Sequence, residues 1–145
     1  MSILKIEKSI LINAPLGEVF GFMAEPHNLL KIWPSLLEVR NVQPLPHGGY
    51  CYDWAYKMAG LRFKGQGEWI EFLKDQRIVF KSEGCIPSTL FWIYQPEDGG
   101  TRVTVSVDYT IPGVALSRLT EPVIQKMNVR EVGMVLDNLK TCLEV

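Results

Sequence analysis

The chain has 145 residues, enough for one domain with one core, and at that length folding removes roughly two-thirds of the unfolded chain's surface from water. Apolar residues make up 47%, charged residues 21%, and the formal net charge is -1, with Lys and Arg scattered among Asp and Glu. That balance excludes the basic stripe of a nucleic-acid binder, and no apolar run approaches the roughly 18 residues of a membrane span.

Residues 1–8 interrupt their apolar positions with Lys5, Glu7 and Lys8, unlike the h-region of an export signal, so a cytoplasmic location without an integral membrane segment is expected. Residues 5–13 place Ile6, Ile10 and Ile12 among charges and stop at Ala14 and Pro15, which predicts a first strand. Pro15 at a first-turn position, Glu18 near the helix N-terminus and Val19, Phe20 and Met23 at helical spacing predict a short helix ending before Pro26. Residues 28–33 add one or two helical turns before Pro34, and residues 36–42 read as a strand stopped by Pro44 and Pro46.

The clearest alternation follows: Tyr50, Tyr52, Trp54, Tyr56 and Met58 stand against Cys51, Asp53, Ala55 and Lys57, the pattern of a half-buried strand. After a turn at Gly60, Leu61, Phe63, Gly65, Gly67, Trp69 and Glu71 are expected on one face, with Arg62, Lys64, Gln66 and Glu68 on the other. Three more strands are predicted over 77–82, 90–94 and 103–109. Their connections at 74–76, 96–100 and 112–113 are short and rich in turn residues, so the strands form an antiparallel meander. From Val114 the pattern is helical, with Pro122 marking the start of the main helix. Leu116, Leu119, Val123, Met127 and Met134 form one stripe, and Val132, Leu136, Leu139 and Leu143 a rotated one. The first stripe is expected to face a cavity and the second to close on the sheet.

The run from Lys8 through Ser9, Ile10, Leu11, Ile12, Asn13 and Ala14 to Pro15, followed by Glu18, Val19 and Phe20, resembles the opening of the START-related (SRPBCC) superfamily. Residues 30–35, with Trp33, resemble its second-helix segment. Residues 56–60 and 99–105, and Leu139 and Lys140 with Glu144, are similar to its polyketide cyclase/dehydrase-like branch. The resemblance spans the whole chain and implies one α+β helix-grip domain over 1–145. In that fold a curved antiparallel β-sheet wraps around a long C-terminal α-helix, with two short helices after the first strand. The shared motifs are structural rather than catalytic, and the superfamily includes cyclases, lipid carriers and hormone receptors, so the resemblance speaks to fold more than to reaction.

Candidate ligand-binding residues are Trp33, Tyr52, Trp54, Tyr56, Met58, Phe63, Trp69, Phe80, Trp92, Leu119, Val123 and Met127. Aromatic residues suit strands in any fold, so packing accounts for many of these rings; the number of polar-tipped Tyr and Trp side chains favours a cavity, where O–H and N–H groups find partners. Gly65 and Gly67 either permit sheet curvature or open volume. On the expected inward faces only Glu71 and Ser82 interrupt the apolar register. Glu71 is the catalytic candidate, as a desolvated general acid or base, against the competing reading of a solvated strand end. Asp53 and Asp108 fall on polar faces, and His27 and His47 in loops.

No GxSxG, phosphate-loop or dinucleotide fingerprint is present, and Cys51, Cys85 and Cys142 lack metal-ligand spacing, so no cofactor and no metal are expected. The cysteines are expected as small reduced core residues. The partner predicted is a hydrophobic small molecule, lipid- or polyketide-like, and a homodimer is compatible with the composition. Two functions remain open: a carrier that encloses such a guest, and a cyclase or dehydratase in which Glu71, with Tyr52 or Tyr56, handles protons.

Overall fold

A computed structural model describes residues 3–144. Strand β1 (Leu4–Ile12) leads into helix α1 (Leu16–Met23), a 3-10 turn (Pro26–Asn28) and the single turn α2 (Leu29–Ile32). Six strands follow: β2 (Leu36–Pro44), β3 (Tyr50–Met58), β4 (Leu61–Leu73), β5 (Arg77–Gly84), β6 (Ser88–Glu97) and β7 (Gly100–Tyr109). A short helix α3 (Gly113–Leu116) precedes the long α4 (Glu121–Leu143). The sheet runs β1-β7-β6-β5-β4-β3-β2 with every neighbouring pair antiparallel. This is the expected helix-grip arrangement.

Local chemistry explains the tight hairpins. Ala59 and Gly60 join β3 to β4, and Asp98 and Gly99 join β6 to β7, each pair with both φ values positive as a two-residue turn with matching twist demands. Gly65 and Gly67 of β4 are required by their neighbours. A Cβ at Gly65 would run into the Trp54 ring and the Glu83 carbonyl, and one at Gly67 into the Phe80 ring. The bare β4 backbone thus accepts rings from strands on both sides, and Phe80 stacks on Tyr52 with centroids 5.0 Å apart.

Helix α4 departs from the expected stripe. Its buried residues are Ile124, Val132, Val135, Leu136 and Leu139, whereas Val123, Met127 and Met134 are 45%, 49% and 42% exposed. The helix lies along β1 and is tied at its end: Lys140 Nζ donates to the Leu11 carbonyl (3.0 Å), and the Asn13 amide donates to Glu144 Oε2 (2.7 Å). Asn138 Nδ2 donates to the Ile32 carbonyl (3.0 Å), fastening α2 to the same helix. The cysteines are not core residues, since Cys85 and Cys142 are exposed and Cys51 is half-buried. Among the described residues, no helix is long and apolar enough to cross a membrane.

Candidate ligand cavity between sheet and terminal helix

The concave face of the sheet and the first half of α4 leave a cavity of about 130 Å³. Strand alternation aims Tyr52, Trp54, Tyr56 and Met58 of β3 into it, and β4 to β6 add Trp69, Phe80 and Trp92. Trp33, at the end of α2, completes the wall, packing edge-on against both Tyr56 and Trp92 with centroids 6.3 Å away in each case. All four tryptophans of the chain therefore border one space.

Four of the residues expected at the cavity are elsewhere. Phe63 is buried in the core but does not border the space, and Leu119 is half-buried against the core. Val123 and Met127 point to solvent, because the buried face of α4 passes through Ile124, Asn128 and Val132 instead. Reading the helix with a 3.6-residue period from Ile124 would have found this face, and would have marked Asn128 and Glu131 as polar interruptions of it.

Glu71 also lies off the cavity. A β-bulge between Trp69 and Glu71 advances β4 by one residue, so Glu71 pairs with Val79, and Phe72, paired with Ile78, follows Trp69 onto the concave side. Phe72 stacks on Trp69 with centroids 5.6 Å apart, while the Glu71 carboxylate accepts a hydrogen bond from Arg77 Nε (2.6 Å) in a partly exposed ion pair. A base facing an apolar cavity needs a different residue.

The polar groups that do reach the cavity form two sets. At the α2 side, Trp33 Nε1 donates to Tyr56 Oη (3.0 Å), and Tyr56 donates to Glu131 Oε2 (3.1 Å). Ser35 completes the network through its amide (3.0 Å) and hydroxyl (2.5 Å), both donated to Glu131. Burial, reinforced by the Glu131 charge, pushes the Tyr56 phenol far above its ordinary range, so it stays protonated.

The second set lies across the sheet. Cross-strand pairing places Tyr52, Gly67, Ser82, Ser88 and Tyr109 in one row over β3 to β7, and every member but the glycine borders the cavity. Tyr109 donates to Gln125 and accepts from Asn128 Nδ2 (2.8 Å). Ser82 Oγ, together with the buried Trp54 Nε1 and Tyr94 Oη, has no hydrogen-bond partner within the protein. Burial raises the Tyr52 and Tyr94 phenols well above the usual value, leaving both neutral. Among the described residues, no Asp, Glu, Lys, Arg or His borders the cavity. Nor, among the described residues, does any group of three or more His, Cys, Asp or Glu stand close enough together to hold a metal ion.

Comparison with solved structures finds the same fold at low sequence identity. TTHA0849 from Thermus thermophilus superposes with a TM-score of 0.80 at 21% identity, covering 95% of both chains. The Zhui aromatase/cyclase from Streptomyces sp. R1128 gives 0.78 at 13% identity, covering 99% of this chain and 94% of that one. Ms6760 from Mycobacterium smegmatis gives 0.70 at 18% identity, over 97% and 91%. Comparison with curated proteins finds no match. The family model described as "Polyketide cyclase / dehydrase and lipid transport" matches residues 4–144, and with a match of that extent the chain belongs to this family.

Proposed function

We propose that the protein binds an apolar small molecule in the cavity between the sheet and α4. The observation that carries this reading is the space itself, walled by aromatic rings that pack on one another without filling it. Its volume of about 130 Å³ is close to the ~150 Å³ of an engineered apolar cavity that takes up benzene. It therefore suits a single ring as it stands. Burying roughly 200 Å² of such a guest at ~25 cal/mol per Å² contributes about 5 kcal/mol before ordering costs, which places affinity near 10⁻⁴ M or weaker.

Because every tryptophan borders the space, guest binding should change intrinsic fluorescence and raise Tm together. A panel of single-ring and two-ring hydrophobes that moves neither signal would count against the reading. Leu90→Trp, which adds bulk at a lining position, should abolish both responses while the protein stays folded.

One observation favours a second reading, an enzyme of the cyclase or dehydratase type. Tyr56 presents a phenol to the cavity while hydrogen-bonded to the Glu131 carboxylate behind it, an arrangement able to move a proton to or from a bound carbonyl compound. Under this reading, Tyr56→Phe and Glu131→Gln each lower turnover of an accepted substrate by about 10²-fold or more without abolishing its binding. Turnover unchanged in both variants would remove the assignment.

A further inference from the structure

The residues that border the cavity and stay partly exposed fall in two places: Trp33, Leu36 and Tyr56 beside α2, and Ser88, Leu90 and Asn128 on β6 and α4. A ring guest has to pass between side chains at one of them, because elsewhere the wall is largely carried by paired strands and by helices. The second place is crossed by the hydrogen bond from Asn128 to Tyr109, with Gln125 on the same hydroxyl. The first is closed by one side chain.

Trp33 belongs to neither a strand nor a helix. It caps α2 with an extended backbone (φ -107°, ψ 100°) and precedes Pro34. Its neighbours are fixed: Ile32 is fully buried with its carbonyl held by Asn138, and the Ser35 carbonyl accepts from the Lys57 amide of β3 (2.9 Å). With the backbone pinned on both sides, the indole moves by turning about its own side-chain bonds. In the closed position it packs edge-on against Tyr56 and Trp92 and donates to Tyr56 Oη. Tyr56 is held in turn by Glu131, which Ser35 orients through two hydrogen bonds. The surface beside this network is apolar. Leu30 lies one turn before Trp33, Met127 and Met134 lie four residues before and three after Glu131 on one side of α4, and all three are exposed.

We propose that the Trp33 indole is the door of the cavity, barred by the Tyr56–Glu131 pair, and that its turning sets the rate at which a guest enters and leaves. This rests on the cavity-binding reading above and adds how the site is reached. Swinging the ring outward gives up one N–H···O bond and two edge contacts, and water takes over the N–H, so the passage opens without unfolding.

Fluorobenzene exchange on the intact chain, followed by fluorine NMR, gives kon and koff separately. Tyr56→Phe keeps the ring but leaves the closed indole N–H without its acceptor, so kon should rise by up to about tenfold. Glu131→Gln should raise it by a smaller factor, because the neutral amide still accepts from Tyr56. Trp33→Ala removes the door and should raise kon at least as much as Tyr56→Phe, whereas a ring serving only as wall would change koff alone. Val103→Ala, fully buried and off the cavity, should lower Tm and leave kon as in the wild type. A wild-type kon in Tyr56→Phe or in Trp33→Ala overturns the inference and leaves the cavity reading intact, with the guest passing beside Ser88 instead. A kon that rises as much in Val103→Ala also overturns it, since exchange would then follow general unfolding. No binding of fluorobenzene to the wild type overturns both.

Discussion

Along the β1–β7 edge, Ile12, Val103 and Val105 are fully buried, as are Val135 and Leu139 of α4, which lies along β1. Under the first half of the same helix, the sheet presents Tyr52, Trp54, Tyr56, Phe80 and Trp92, and there the walls do not meet. The difference is one of side-chain shape. Branched aliphatic residues interdigitate to the density of a crystal, whereas large planar rings held by edge-on and stacked contacts leave gaps that only a change of backbone would close. The closed region supplies rigidity, and the open region supplies space.

The largest expected effect is in the closed region. Leu139→Ala should cost about 3 kcal/mol, because a cavity there has no room to collapse, while Leu90→Ala, on the half-buried lining, should cost clearly less. Chemical denaturation of both variants would break the comparison if the order were reversed. Gly67→Ala comes next, at about 2 kcal/mol, since the new Cβ displaces the Phe80 ring from β4; loss of ring order should also be visible in the near-ultraviolet circular dichroism.

A further prediction concerns the clamp at the end of α4. Hydrogen bonds from the Asn13 amide and then from Lys140 hold the Glu144 carboxyl below its ordinary 4.5. Folding thus favours the charged form, and its stabilisation is present above about pH 4.5 and lost as pH falls through the lower folded value. Glu144→Gln should accordingly flatten the acid limb of the stability profile in urea titrations between about pH 3 and 6. An unchanged limb would show that this clamp carries nothing. The smallest effect is expected at Ala59, which holds a positive φ of 52° in the β3–β4 turn. Ala59→Asn should raise stability by up to about 1 kcal/mol, and a lowered Tm would contradict the turn assignment.

Much of the sheet could be read from alternation. The inward set of β3 is as expected, because no irregularity interrupts its pairing with β4 from Cys51 to Met58. Glu71 was not legible in the same way: a bulge adds one residue without a sequence mark, and every position after it changes face. On α4, the exposed Val123, Met127 and Met134 compose an apolar stripe as regular as the buried one, and composition alone cannot say which of two stripes meets the sheet. Asn128 and Glu131 were hidden for a related reason, since their meaning depends on Tyr109, Tyr56 and Ser35, partners distant in sequence. The fold rests on local periodicities, and the site on long-range contacts that no period announces.

Crystals of the unliganded protein pressurised with xenon test the open region most directly, because xenon enters dry apolar cavities of this size. The account predicts a xenon site between α4 and the β3–β6 floor, among Trp54, Phe80, Leu90 and Val132. Continuous side-chain density across that space, with no xenon inside it, would contradict it.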